Sequence, residues 1–258
     1  MPRVHVLGNA GIDIVLRVSH APADGETLIA RRGRRAPGGK GLNQAVVAAR
    51  AGAAVRFQAP VGDDAEGAFV RAALRGEPIR ALLLRSMDLA TDLSVVIVDA
   101  AGGNRIVSTS ACADAVTPED AVAFADEIEA GDVFLVQGNL SREATEAGVR
   151  RAVERGAEVV VNLAPFRWAP SSAMPPCHLV VNRLEAAQAS GIAEPGTAAL
   201  ALCRAGVRRT FVTLGAEGCL LAEDDQCREI ATARAAAIDT TGAGDTFCGM
   251  LAAGMASG

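Results

Sequence analysis

At 258 residues, with 50% hydrophobic and 21% charged residues, the chain can bury a full core and carries no compositional sign of disorder. A net charge of −5 argues against a general nucleic-acid binder, and no apolar run is long enough to span a bilayer. The six cysteines include no Cys-x-x-Cys pair, the three histidines lie far apart, and Met1-Pro2-Arg3 runs into an apolar strand without a leader pattern, so a cytosolic protein with reduced thiols and no zinc site is expected.

Short β-branched runs alternate with longer Ala-rich stretches. Val4 to Leu7 reads as a strand entering Gly8-Asn9-Ala10-Gly11-Ile12-Asp13. Ile14 to Val18 with Thr27 to Arg32 reads as an antiparallel hairpin, and Arg31, Arg32, Arg34 and Arg35 form one local cluster at a solvated or substrate-facing edge. Pro37-Gly38-Gly39-Lys40-Gly41-Leu42-Asn43-Gln44-Ala45 then opens a helix from Lys40 to Ala51, with Leu42, Ala45, Val46 and Ala49 along one face and Gly52 as its stop. Backbone can approach a ligand closely at such a turn. Asn43 offers a donor and an acceptor there, and Lys40 a cation.

Val55 to Ala59 (strand) and Gly67 to Leu74 (helix) continue the alternation, and a second hairpin, Leu93 to Asp99 with Arg105 to Thr109, interrupts it. Val133 to Gln137, Arg142 to Arg155, Val159 to Asn162, Leu179 to Asn182 and Phe211 to Leu214 resume it. Strand and helix in alternation predict an α/β fold with an open, mostly parallel sheet, helices on both faces, and ligands at the strand C-terminal ends.

The last element is the most informative. Asp239-Thr240-Thr241-Gly242-Ala243-Gly244-Asp245-Thr246-Phe247 reads as a tight turn into a buried helix, with Phe247, Met250, Leu251 and Met255 at helical spacing and Gly249 and Gly254 expected to allow close packing. The positive end of that helix is a site for phosphate, and a carboxylate at Asp245 beside it can take a proton from an attacking hydroxyl. Cys248 lies in the first turns, where a thiolate would be stabilised, although packing is the plainer role. Alone, Asp245 would read as an ordinary helix-capping residue, and Lys40 as a solvated side chain in a strand-to-helix turn; two such elements together point to a phosphoryl-transfer site. Around Gly39-Lys40 a P-loop would need Gly where Arg34 stands, and a dinucleotide fingerprint would need Gly where Gln44 stands. No Gly-x-Ser-x-Gly elbow or His-Glu-x-x-His helix occurs.

On these residues the chain resembles the PfkB, or ribokinase-like, carbohydrate kinases. The Gly38 to Ala45 and Asp239 to Thr246 elements match both signatures, and ordered landmarks lie between: Val6 to Asp13, Gly25-Glu26-Thr27, Val61 to Gly67, Asn162-Leu163-Ala164-Pro165, Asn182-Arg183-Leu184-Glu185 and Thr213 to Gly218. The resemblance spans Val4 to Gly254 and implies one ribokinase-like α/β domain over 1–258, with a small β lid inserted at about 14–36 and 93–110. It implies ATP-dependent phosphorylation of a sugar hydroxyl with Mg²⁺. Asp245 would be the base, with Gly242, Ala243 and Gly244 as the anion hole. Asp13, Gly39, Lys40, Asn43 and Asn139 would hold the sugar, and Asn182, Thr213, Gly215 and Gly218 the nucleotide. Glu185 would hold Mg²⁺ through water, and Asp239 and Thr241 would help form a K⁺ site. Sugar and ATP are the implied partners, with no nucleic acid or membrane, and the lid is an expected homodimer surface.

Three departures shape the expectations. Gly11 stands where ribokinases carry an Asn, with Asn9 out of register. Gly138-Asn139-Leu140 stands where they carry a Glu, which leaves D-ribose as one candidate beside a nucleoside, a ketohexose or a sugar acid. The family's further C-terminal helices do not follow Gly258 in this sequence, so weak ATP binding and little response to K⁺ are expected. A non-catalytic sugar or nucleotide sensor of the same fold is the competing class, opposed by the intact Gly-Ala-Gly-Asp turn.

Overall fold

The computed structural model describes residues 2–100, 103–171, 174–233 and 240–258. Strands β1 (Arg3–Leu7), β2 (Gly11–Arg17) and β3 (Arg32–Gly38) precede helix α1 (Lys40–Arg50); β4 (Ala54–Gly62), α2 (Ala65–Leu74) and β5 (Ala81–Met87) follow, then β6 (Asp92–Val98) and β7 (Asn104–Ser108). Next come α3 (Ala111–Asp114), α4 (Pro118–Ala125), β8 (Val133–Gln137), α5 (Arg142–Glu154), β9 (Glu158–Asn162), β10 (His178–Asn182), α6 (Arg183–Ser190) and α7 (Pro195–Arg204). The chain ends with β11 (Arg209–Thr213), β12 (Cys219–Glu223), β13 (Gln226–Ile230) and α8 (Ala243–Ser257).

Among the described residues the strands form two sheets. The larger has nine strands in the order β13-β12-β11-β10-β9-β8-β1-β4-β5. Pairing is parallel from β5 to β11, and β12 and β13 add an antiparallel edge. The middle strands are covered on both faces, which is why β8 reads Val-Phe-Leu-Val-Gln with no polar alternation. Val133 and Leu135 face a core built with Leu42, Val70 and Ala252 from α1, α2 and α8. Phe134 and Val136 face the opposite core, with Phe124, Val149 and Leu202 from α4, α5 and α7. No helix among the described residues is long and apolar enough to cross a membrane.

The smaller sheet is the lid, in the order β3-β2-β6-β7. Its two antiparallel hairpins are joined by a parallel pairing of β2 with β6. The first hairpin corrects the expectation from sequence: β2 pairs with Arg32–Gly38 and not with Thr27 to Arg32. Before that strand the chain is tied into a turn, with Gly25 at φ 77 and the Glu26 carboxylate accepting from the Ala23 N–H at 2.9 Å and lying 2.9 Å from His20 Nε2.

Candidate active site

Helix α8 begins after Gly242, whose φ of 77 is a left-handed conformation that glycine adopts without strain. The first backbone N–H groups of a helix have no intrahelical acceptor, and the positive end of the dipole lies among them. Ala243 departs from the expected anion hole, because its N–H donates to the Thr240 carbonyl at 3.1 Å and closes the turn. The Gly244 and Asp245 N–H groups are the ones the helix start leaves for an anion.

Close packing of α8 on α1 sets the Asp245 carboxylate. A Cβ at Gly249 would lie 2.7 Å from the Gln44 carbonyl oxygen and from Val47 Cβ, so the helices approach only because that position is glycine. Gly254, expected to serve the same purpose, faces open space. One turn before Gly249, Asp245 is 7% exposed. Its Oδ2 accepts from Asn43 Nδ2 and its Oδ1 from Gln44 Nε2, each at 3.0 Å. Burial pushes the neighbouring Cys248 thiol up, with the Asp245 charge adding to it, which makes this cysteine a packing group and not a thiolate.

Two cavities, of about 640 and 570 Å³, meet at Asp245, Lys40, Thr241 and Gly242, which line both. Asn182, Thr213, Gly215, Gly218, Ala243 and Gly244 line the first. Asp13, Gly39, Asn43, Asn139 and Glu185 line the second, under the lid side chains Ser94 and Ser108. The structure thus brings the expected residues to one place, with the exception of Asp239, which lies outside the described residues. Glu185, which the resemblance gives to Mg²⁺ through water, lines the lid-side cavity and not the one lined by Asn182 and Thr213.

Local geometry explains several placements. Gly39 has φ 102, and a Cβ at Gly41 would lie 2.7 Å from the Asn9 nitrogen, so both glycines let the start of α1 lie against the Asn9 loop. Asn9, out of the expected register, accepts from the Gly41 N–H at 3.2 Å and supports that helix start. Burial pushes the Asp13 carboxyl up; the Ser94 hydroxyl opposes this, the Asp245 charge adds to it and Lys40 works against it. Asn139 Oδ1 is buried with no hydrogen-bond partner among the described residues, and the Arg167 guanidinium donates to the Asn139 carbonyl and to Asp114, each at 2.7 Å.

Asn182 and Glu185 form a capping box at α6. Asn182 Oδ1 accepts from the Glu185 N–H at 2.9 Å, and Glu185 Oε2 from the Asn182 N–H at 2.8 Å. That cap accounts for part of their spacing. Burial nevertheless raises the Glu185 carboxyl, against the Asn182 N–H and the Lys40 charge, so a cation beside it would be favourable. Among the described residues no group of three or more His, Cys, Asp or Glu could hold a metal by itself. A single carboxylate lining the lid-side cavity fits Mg²⁺, a hard ion that keeps several of its waters and takes phosphate oxygens.

Sequence reasoning did not single out Gln44, although it touches Asp245 directly. An amide in the second turn of a helix reads as surface, and its burial at 0% exposure comes from the packing of α1 against α8 and against the ends of β8 and β9.

The description "pfkB family carbohydrate kinase" matches residues 1–258. The chain is 30% identical over 262 residues to a ribokinase of Bacillus subtilis, covering 100% of this chain and 87% of that protein. It is also 30% identical over 260 residues to a bifunctional ribokinase/ribose-5-phosphate isomerase A of Fructilactobacillus sanfranciscensis, covering 98% of this chain and 48% of that longer protein, about half its length. The crystal structure of a ribokinase from Cryptococcus neoformans in complex with ADP superposes with a TM-score of 0.80 at 26% identity, covering 100% of this chain and 88% of the other. With two cavities meeting at an aspartate on a glycine-rich helix start, the chain belongs to the pfkB family of carbohydrate kinases and is an ATP-dependent carbohydrate kinase.

Proposed function

We propose that the chain transfers the γ-phosphoryl group of ATP to a hydroxyl of a pentose, with ribose first among the substrates. The observation that carries this reading is the position of Asp245 in the wall between the two cavities, where a hydroxyl bound on one side can meet a phosphate bound on the other. Asp13, Asn43 and Asn139 hold the sugar hydroxyls under the lid. Asn182, Thr213, Gly215 and Gly218 line the nucleotide side.

The hydroxyl oxygen attacks the γ-phosphorus, its proton passes to the Asp245 carboxylate, and the bond from phosphorus to the ADP oxygen breaks. The Gly244 and Asp245 N–H groups stabilise the charge spread over the transferring group, with Gly242 shaping the turn and Lys40 close to both cavities. Mg²⁺, when bound, neutralises charge on the phosphates, and Glu185 holds it through water. Thr241 contributes to a monovalent-cation site. The setting is the cytosol, where ATP and reduced thiols coexist, and the exposed edge strand β7, with Val107 73% exposed, pairs lids in a homodimer.

A sugar acid is the second reading, favoured by Arg167 on the lid-side cavity wall. ADP release measured across pentoses, hexoses, sugar acids and nucleosides tests both. Ribose should give the highest kcat/KM; a preference for sugar acids would select the second reading, and no turnover on any would favour a sensor.

A further inference from the structure

Behind Asp245 lies a run of side-chain amides that line neither cavity. Gln44 and Gln137 are 0% exposed and Asn162 is 6% exposed. Gln137 ends β8 and Asn162 ends β9, paired in register, and Gln44 comes down on them from α1. Gln137 Nε2 donates to Gln44 Oε1 at 2.9 Å. Gln44 Nε2 donates to Asn162 Oδ1 at 2.9 Å and to Asp245 Oδ1 at 3.0 Å. Asn162 Nδ2 donates to the Val180 carbonyl at 3.1 Å.

The direction of this run is fixed from its far end. A backbone carbonyl only accepts, so Asn162 must turn its NH₂ to Val180 and its oxygen to Gln44. Gln44 must then present its NH₂ to Asn162 and Asp245, which leaves its carbonyl for Gln137. The order costs stability, because Gln137 Oε1 is buried with no hydrogen-bond partner among the described residues, in a space left open by the absence of a Cβ at Gly8. Apolar side chains of the same size would fill that region without an orphaned carbonyl, so packing alone does not explain three amides there.

We propose that Gln44, Gln137 and Asn162 are positioning residues that orient the Asp245 carboxylate toward the sugar hydroxyl. The proposal rests on the reading of Asp245 as the base. Gln44 ties Oδ1 to the buried side, and Oδ2, beside Asn43 on the lid-side cavity, is the oxygen that takes the proton. Gln137 and Asn162 touch neither substrate cavity nor Asp245 and act through Gln44.

The test is a double-mutant cycle on kcat, with sugar KM and Tm measured for each variant. Gln137→Met keeps the length of the side chain and removes the donor to Gln44. It should lower kcat about 10-fold to 100-fold, the scale of a misplaced reacting group, while sugar KM stays within about twofold. In an Asp245→Asn background the same substitution should change the residual kcat by less than about twofold, since no base is left to orient. Asn162→Leu, at the other end of the run, goes through the same cycle, so the result does not hang on the folding of one variant. An equal loss of kcat in both backgrounds, or a loss confined to Tm, overturns the proposal. A silent Gln137→Met beside an inactive Asp245→Asn removes the positioning role and leaves the base standing. Undiminished turnover in Asp245→Asn alone removes the base and this proposal with it.

Discussion

Asp245 combines burial with two amide donors, one to each carboxylate oxygen, and an exposed edge on two cavities. Asp245→Asn keeps that shape and removes the proposed proton acceptor. Its kcat should fall by a factor of about 10²–10⁴, the range for a positioned general base, with sugar affinity by calorimetry nearly unchanged. Turnover close to that of the parent enzyme would take Asp245 out of the mechanism. Glu185 caps α6 and, in the function proposed, also holds Mg²⁺ through water, and one substitution can separate the two. Glutamine serves the third position of a capping box as well as glutamate does, so Glu185→Gln keeps the α6 start and removes only the charge. The Mg²⁺ concentration for half-maximal rate should rise about 10-fold or more while sugar KM holds, and an unchanged requirement would remove Glu185 from the metal's surroundings.

At the level of elements, α8 depends on one glycine and not on another. Gly249→Ala would force a Cβ within 2.7 Å of α1, so urea unfolding should show a loss of about 1–3 kcal/mol together with a lower kcat. Gly254→Ala, facing open space, should be neutral or slightly stabilising by its helix propensity, about 1 kcal/mol at most. Equal effects at the two positions would mean that α8 does not lie on α1 as described.

The lid root is a second such element. Asp92, 3% exposed at the start of β6, accepts from the Cys112 N–H at 2.9 Å and the Ala113 N–H at 3.1 Å. Burial pushes its carboxyl from 3.8 up to about 6, against those two hydrogen bonds. A raised folded value means that the folded state holds the proton more tightly than the unfolded one. The stability linked to protonated Asp92 is therefore complete below 3.8 and is lost as pH rises through about 6. Asp92→Asn has no such titration, so Tm of the parent minus Tm of the variant should shrink between about pH 4 and pH 7. A pH-independent difference would show that the two N–H groups offset burial.

The elements also show what the sequence made visible. Helix α1 was legible because Gly39, Gly41 and the apolar spacing of Leu42, Ala45 and Ala49 all point to the same start and face. The β12–β13 hairpin was not: its turn is Asp224-Asp225, at φ 47 and 61, without the glycine that usually marks such a turn. Helices α6 and α7 are short and Ala-rich and bury few residues, which gives a weak period. The arginines of β3 disguised a strand, since an exposed strand of a small lid has no apolar alternation to display. Among the cavity residues Lys40, Asn43 and Asp245 followed from glycine-rich turns and Asp13, Asn139, Asn182 and Thr213 from the family resemblance, whereas Gln44 and Gln137 gave no signal, because an isolated amide becomes informative only once its neighbours in space are known.

On the scale of the whole molecule, the lid covers the cavity that holds Asp13 and Asn139, with Ser94 and Ser108 on its inner wall. Sugar that bridges lid and body should slow hydrogen exchange in 32–35 and 93–108, since opening then breaks ligand contacts as well as strand pairs. Exchange indifferent to sugar in both segments would count against closure over the substrate.

The parallel pairing of β2 with β6 gives the lid a further property. It sets Gly11 against Asp92 and Arg17 against Val98, partners separated by β3, α1, β4, α2 and β5 in the chain. The two hairpins are not neighbours in sequence, and closing the pair between them closes a long loop of the body as well. The lid is thus joined across the chain and not within one local stretch, as β1 is to the still more distant β8, so lid and body are expected to unfold as one cooperative unit.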